Sequence, residues 1–250
     1  MRRFSVAFLF IAIGLCGCAS DDPVRGTIDR AFAARAPAEP LVGFGGWERD
    51  VEGTWRGMPF RSHVVYGRPT LLRQEFEPFG FGRAEVTVSD GKQIFREERG
   101  GRARMHAEDV QIFRDVVFDE ALLFLAELRE PSFARELVEQ PAPRAGRDVV
   151  QLIVGSVAVS ERVLTFDAET FDLISIAGNT WTGVGESGRE AVETVFHDHA
   201  LVDGMRLPGR YEVFVNGVVV SEGRYVRWKP RRDIPTVTIA TTVLPSEPGL

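Results

Sequence analysis

The sequence predicts a mainly β (α+β) protein: a curled antiparallel sheet of about 10–11 strands, its concave face covered by one central helical insert. Three observations lead there. Short runs of alternating apolar residues, broken by glycine and proline, fill 48–98 and resume over 148–228. Asp90-Gly91 and Asn216-Gly217 each sit between two such runs, where they favour tight hairpins. Between the two blocks, the apolar spacing over 109–138 changes to that of helices.

In the first block, the runs at 48–56, 60–66, 70–77 and 84–89 are separated by Gly57-Met58-Pro59, Gly67-Arg68-Pro69 and Pro78-Phe79-Gly80-Phe81-Gly82. Such residues punctuate strands, because proline cannot donate to a ladder and glycine takes the turn conformations. Asp90-Gly91 then turns Val86-Thr87-Val88 back onto Ile94-Phe95. The clearest helix of the insert is 119–128, with Asp119 as its cap and Pro131 to stop it; Ser132 caps a shorter helix through Val138. Strands resume at 148–154, 157–166, 170–177, 190–199 and 210–215, and the last runs to Trp228. Asn216-Gly217 is expected to pair Val215 with Val218 and Val213 with Val220. An open sheet of this many strands curls, and the helices are the elements available to cover its apolar side.

The N-terminus reads as a targeting segment. Arg2 and Arg3 precede an apolar run over 4–15 that is shorter than the roughly 20 residues a spanning helix needs. Leu15, Gly17 and Cys18 then resemble the lipobox of bacterial lipoproteins: a branched apolar residue, a small residue, and the cysteine that is diacylated. Cys16 does not fit, because Leu15 would take the small-residue position. The expected division is a signal peptide at 1–17, lipidated Cys18 and a proline-bearing tether over 18–43 with one short helical stretch at 27–35, a domain over 44–230, and a tail over 231–250. Two or three acyl chains on one cysteine anchor far more firmly than one. Ala19, where aspartate commonly retains such lipoproteins at the inner membrane, points by the same resemblance to the periplasmic face of the outer membrane.

Composition narrows the function. Without Arg2 and Arg3 the chain carries 28 basic residues against 36 acidic ones, a surface that does not attract nucleic acid. No cysteine besides Cys18 follows the signal, so thiol catalysis has no nucleophile and stability rests on core area without disulfides. Fifteen of the 18 phenylalanines lie beyond the signal, enough to fill a β core or to line an apolar cavity.

Two stretches resemble the LolA/LolB-like lipoprotein-carrier superfamily. Val86-Thr87-Val88-Ser89-Asp90-Gly91-Lys92-Gln93-Ile94-Phe95 is similar to that family's strand, Asp-Gly, aromatic hairpin. Phe196-His197-Asp198-His199-Ala200-Leu201-Val202-Asp203-Gly204-Met205-Arg206-Leu207-Pro208 is similar to its late aromatic, Val-Asp-Gly, apolar, proline pattern. The resemblance implies a half-open β-barrel with a helical lid and a cavity for lipid or lipoprotein acyl chains, with no cofactor and no catalytic step. Phe95, Phe113, Leu122, Phe124, Leu125 and Leu128 are the expected hydrophobic ligand-binding residues. Leu122, Phe124, Leu125 and Leu128 spread over more than one side of the helix, as a helix facing both core and cavity requires. By analogy with the LolB branch, Phe79 or Phe81 is expected to contact the membrane from the loop over 77–83. The alternatives are an interaction module of the same fold with a filled core and an envelope protein partner, or a metal-dependent hydrolase.

The hydrolase alternative rests on His197 and His199, two apart on an expected strand and so on one face. A catalytic zinc takes three protein ligands, and Asp198 between them would face away. Gly183-Val184-Gly185-Glu186-Ser187-Gly188 matches a dinucleotide-binding pattern by letter, but its neighbours read as antiparallel strands instead of the βαβ unit that pattern needs.

Overall fold

The structure, a computed structural model, describes residues 22–37, 41–79, 84–98, 101–130, 133–156, 159–181 and 189–234. Cys18, Phe81 and the glycine-rich stretch 183–188 lie outside them.

Helix α1 (Pro23–Arg35) begins at Asp22, whose carboxylate accepts from the Val24 N–H at 3.0 Å, with Pro23 in the first turn where its missing N–H costs nothing. Ile28, Ala31 and Phe32 enter the core from one side of this helix. Residues 23–35, read from sequence as part of a tether, are therefore packed against the sheet: their 3–4 spacing gives an apolar stripe that has to be covered.

The first strand block comprises β1 (Gly46–Trp55), β2 (Met58–Gly67), β3 (Leu71–Pro78), β4 (Glu85–Asp90), β5 (Ile94–Glu98) and β6 (Gly101–Ala103). Helix α2 (Ala107–Phe124) follows, then a 3-10 turn, Ala126–Arg129. The second block comprises β7 (Ala134–Leu137), β8 (Val149–Ser156), β9 (Val159–Asp167), β10 (Leu173–Trp181), β11 (Arg189–His197), β12 (Ala200–Val202), β13 (Met205–Leu207), β14 (Arg210–Val215) and β15 (Val218–Arg231). Thirteen strands make one antiparallel sheet, in the order β6-β5-β4-β3-β2-β1-β15-β14-β11-β10-β9-β8-β7, and β12-β13 form a separate ribbon. The sheet is curled and unclosed, with β6 and β7 at its edges: a half-open barrel with two α-helices among the described residues. The strands beyond the expected 10–11 are the short ones, three or four residues each, too brief for an alternating pattern to register.

Both hairpin signals act as turns. Asp90 Oδ1 accepts from the N–H groups of Lys92 and Gln93 at 2.9 and 2.8 Å, and Ser89 faces Ile94 across the turn. Asn216 and Gly217 take φ of 51° and 80°, the pair of left-handed residues a two-residue hairpin requires. Val215 pairs with Val218, but a bulge between Val213 and Phe214 gives Val213 the partner Ser221, not Val220.

The helical insert differs from its expected form. Helix α2 starts twelve residues earlier than Asp119, after His106, and ends at Phe124. Its apolar period runs through the whole stretch, and Asp119 is an interior residue held by an arginine, not a cap. Leu125 takes φ 67°, a costly conformation for a residue with a branched side chain, held by complete burial of that side chain. The helix expected after Ser132 is the edge strand β7: Leu137 pairs with Leu152 of β8, and ladder formation overrides a weak local helical preference.

Candidate functional site

Helix α2 lies over the concave face of the sheet, fixed by carboxylates that reach arginines on three strands or turns. Glu120 takes both ends of the Arg49 guanidinium of β1, the Nη2 contact being very short, and also accepts from Trp47 Nε1 at 3.3 Å. Asp119 accepts from Arg162 Nε of β9 at 2.8 Å, while Asp115 lies 3.4 Å from Arg162 Nη2 and accepts from the Thr180 hydroxyl at 2.6 Å. Just past the helix, Glu127 accepts from Arg68 at 3.0 and 3.1 Å and from the Tyr66 hydroxyl at 3.1 Å. Burial would loosen the proton on Arg49, but the Glu120 carboxylate beside it reverses this and tightens it. Sequence reasoning missed this set. The signal was there, in Asp115, Asp119, Glu120 and Glu127 set among the apolar residues of the insert; buried charges are paired.

Beneath the helix lies a cavity of about 290 Å3. Val116, Asp119, Glu120 and Leu123, spaced as one helix face, form its roof. The sheet supplies alternate residues, such as Arg49 and Val51 of β1, Gln74 and Phe76 of β3, and Tyr211 and Val213 of β14. Its two ends differ in chemistry. Toward the strand tips stand Trp55, Phe60 and Phe76, the last two rings 5.0 Å apart. At the other end, the Arg49–Glu120 pair meets Tyr211 and Tyr225, whose rings are 5.3 Å apart and whose hydroxyls are pushed up by burial.

The aromatic end leads to an apolar rim. Met58 pairs with Trp55, Phe79 follows the Pro78 that pairs with Phe60, and Val218 and Val219 precede the Ser221 that pairs with Trp55. All four rim side chains are exposed, Phe79 at 45% and Val218 at 65%. The Arg61 guanidinium lies 5.0 Å over the Phe79 ring.

The residues expected to line the cavity occupy other positions. Phe113, Leu122, Phe124, Leu125 and Leu128 are packed in the continuous core, with Phe124 5.0 Å from the Trp47 ring and 5.7 Å from Tyr66. Phe95 is on the opposite face of the sheet. The register carries Arg49 to Val64, Gln74, Thr87 and Arg96, whereas Phe95 follows from Glu48, Val65, Arg73 and Val88. Its ring is covered by Arg102 at 4.2 Å.

The two histidines do not share a strand face. Strand β11 ends at His197, which meets Glu212 at 3.2 Å, and Asp198 then turns the chain through φ 55°. His199 is thereby directed toward Arg35, Asp172 and Arg206; burial first, and the Arg35 charge second, push its imidazole down to about 4. No group of three or more metal-ligating side chains occurs among the described residues.

No family model and no curated protein matches the chain. Solved structures do. A LolA superfamily protein from Nitrosomonas europaea superposes with a TM-score of 0.56 over 85% of this chain and 94% of its own, at 13% identity. A domain assigned to outer membrane lipoprotein sorting in Vibrio parahaemolyticus gives 0.46 over 82% and 91% at 8% identity. A DUF1329 family protein from Desulfovibrio piger gives 0.45 over 84% and 93% at 11% identity. The curled thirteen-stranded sheet, its covering helix and the first of these superpositions agree: the chain has, distantly, the LolA-like fold.

Proposed function

We propose that the protein is a non-enzymatic envelope lipoprotein, anchored through Cys18 at the periplasmic face of the outer membrane, that receives an acyl chain beneath helix α2. The observation that carries the reading is the cavity whose aromatic end continues into an exposed apolar rim. Its volume is at the low edge of ligand pockets, which run about 300–1,000 Å3, so a long chain requires the helix to lift. Val116, Leu123, Phe60 and Phe76 would contact the chain, and Phe79 with Met58 would meet the membrane at the point of entry. Burial at roughly 25 cal/mol per Å2 makes one acyl chain worth several kcal/mol, without any polar recognition.

The interaction module is the second reading. It is favoured by Leu122, Phe124, Leu125 and Leu128, which are wholly packed by the chain itself and leave a ligand little to displace.

Native mass spectrometry of the full chain carrying Cys18→Ser, before and after organic extraction, separates the two. Lipid lost on extraction, followed by uptake of a fluorescent fatty acid, supports the carrier. A bare mass with no uptake supports the interaction module.

A further inference from the structure

One face of α2 roofs the cavity, and its two polar residues, Asp119 and Glu120, sit between Val116 and Leu123. Among the described residues, the charged side chains of the cavity wall are these two and Arg49. Glu120 is closed off: both of its oxygens accept from Arg49, and one also from Trp47. Asp119 is not. Its Oδ1 accepts from Arg162 Nε at 2.8 Å, and its Oδ2 has no hydrogen bond among the described residues. The Asp119 side chain keeps 38% of its surface accessible, against 7% for Glu120 and 2% for Asp115.

The charge of Asp119 is only partly answered. Arg162 is buried behind the wall and its Nη2 lies 3.4 Å from Asp115, so one guanidinium is divided between two carboxylates. Burial lifts the Asp119 carboxyl to about 6 against the pull of Arg162, and Asp115 and Glu120 add to the lift. Across the cavity, Tyr211 and Tyr225 stay neutral because burial pushes both hydroxyls up. An apolar pocket orients its ligand through the few polar groups it presents. Here the group on offer is an acceptor with negative charge, while the arginine of the wall already holds a carboxylate.

We propose that the cavity takes a single-chain amphiphile with a protonated amine head, the amine donating to Asp119 Oδ2 and the chain lying against Val116 and Leu123. The inference rests on the acyl-chain reading and deepens it: burial of the chain supplies affinity, and Asp119 selects the head. A fatty acid brings a second carboxylate to a place that needs a donor, and is the disfavoured member of the class.

Calorimetric titration of the full chain carrying Cys18→Ser with octylamine, octanol and octanoate at slightly alkaline pH tests it, since the three share a chain and differ in head charge. Octylamine is expected to bind about tenfold or more tighter than octanol, the worth of a charge-assisted hydrogen bond, with octanoate weakest. The groups facing Asp119 are Asp115 and Glu120 on α2, Arg162 from β9, and Arg49, Tyr211 and Tyr225 across the cavity. The octylamine preference should be lost as pH falls through about 6, where Asp119 takes up its proton. Asp119→Asn keeps an oxygen for Arg162 and should bring octylamine down to the level of octanol; if that variant fails to fold, the pH profile of the wild type decides. Octanoate bound as tightly as octylamine, or a preference that survives in Asp119→Asn, would overturn the proposal. Octanol binding with no preference for the amine would sink it and leave the acyl-chain reading in place, whereas three probes that fail to bind would remove both.

Discussion

Arg49 and Glu120 join the wall of the sheet to the helix that covers it, and among the described residues neither has another ion-pair partner. The Glu120 carboxylate binds the guanidinium through both oxygens and holds the Trp47 indole as well. Removing one member leaves the other charge stranded in the cavity. Glu120→Ala is expected to cost about 3–5 kcal/mol in urea unfolding, whereas Arg49→Met with Glu120→Leu should recover most of that loss. A single variant as stable as the wild type would mean that water reaches the pair freely.

Adjacent leucines on α2 should respond unequally. Leu122 is packed on all sides in the core, while Leu123 looks into the cavity. Leu122→Ala is expected near the upper end of the roughly 2–5 kcal/mol range for such truncations and Leu123→Ala near the lower end, because a side chain facing empty space has fewer contacts to lose. Equal losses in thermal or chemical unfolding would mean that the cavity is filled in solution.

His199 predicts an acid weakness. Its folded pKa, about 4, is below the unfolded value of 6.5, so the unfolded chain binds more protons between these limits. Stability from this group is therefore complete above pH 6.5 and is lost as pH falls toward 4. The loss is up to about 3 kcal/mol at about 1.4 kcal/mol per pKa unit. In His199→Gln the fall in unfolding free energy between neutral and acid pH should shrink by that amount.

Phe79→Ser should leave stability within about 0.5 kcal/mol of wild type, since the ring is half exposed and lies under a surface arginine. Partition of the Cys18→Ser chain onto liposomes should fall about tenfold, the worth of 1–2 kcal/mol of lost apolar transfer. Unchanged partition, with Phe81→Ser added, would remove the rim from the membrane-contact reading.

Much of the fold was legible because its signals are local. Asp90 and Asn216 act within three residues of themselves, and the strand blocks on either side of the helical insert follow from alternation. What was missed depends on register and on distant partners. One extra residue at the Val213/Phe214 bulge changes the pairing, and the alternation that sends Gln74 into the cavity sends Phe95 out. The ion pairs of the site join residues from 43 to 71 positions apart, and no window along the chain contains both members. Helix periodicity did suggest two apolar faces for α2, but not which of them the core would consume.

The strand order also dictates how the chain can fold. Strands β1–β6 are neighbours in sequence and in space, and so are β7–β11; the two meanders meet where β1 pairs with β15, Gly46 opposite Arg231. Each meander can form from contacts between strands adjacent in sequence, but the middle of the sheet waits for β15 to arrive, a long loop closure that slows this step. Until then the interior edges of both halves are bare and open to pairing with another chain. A nascent chain is thus most vulnerable until β15 has been made, and truncation ahead of Val218 would expose both halves permanently.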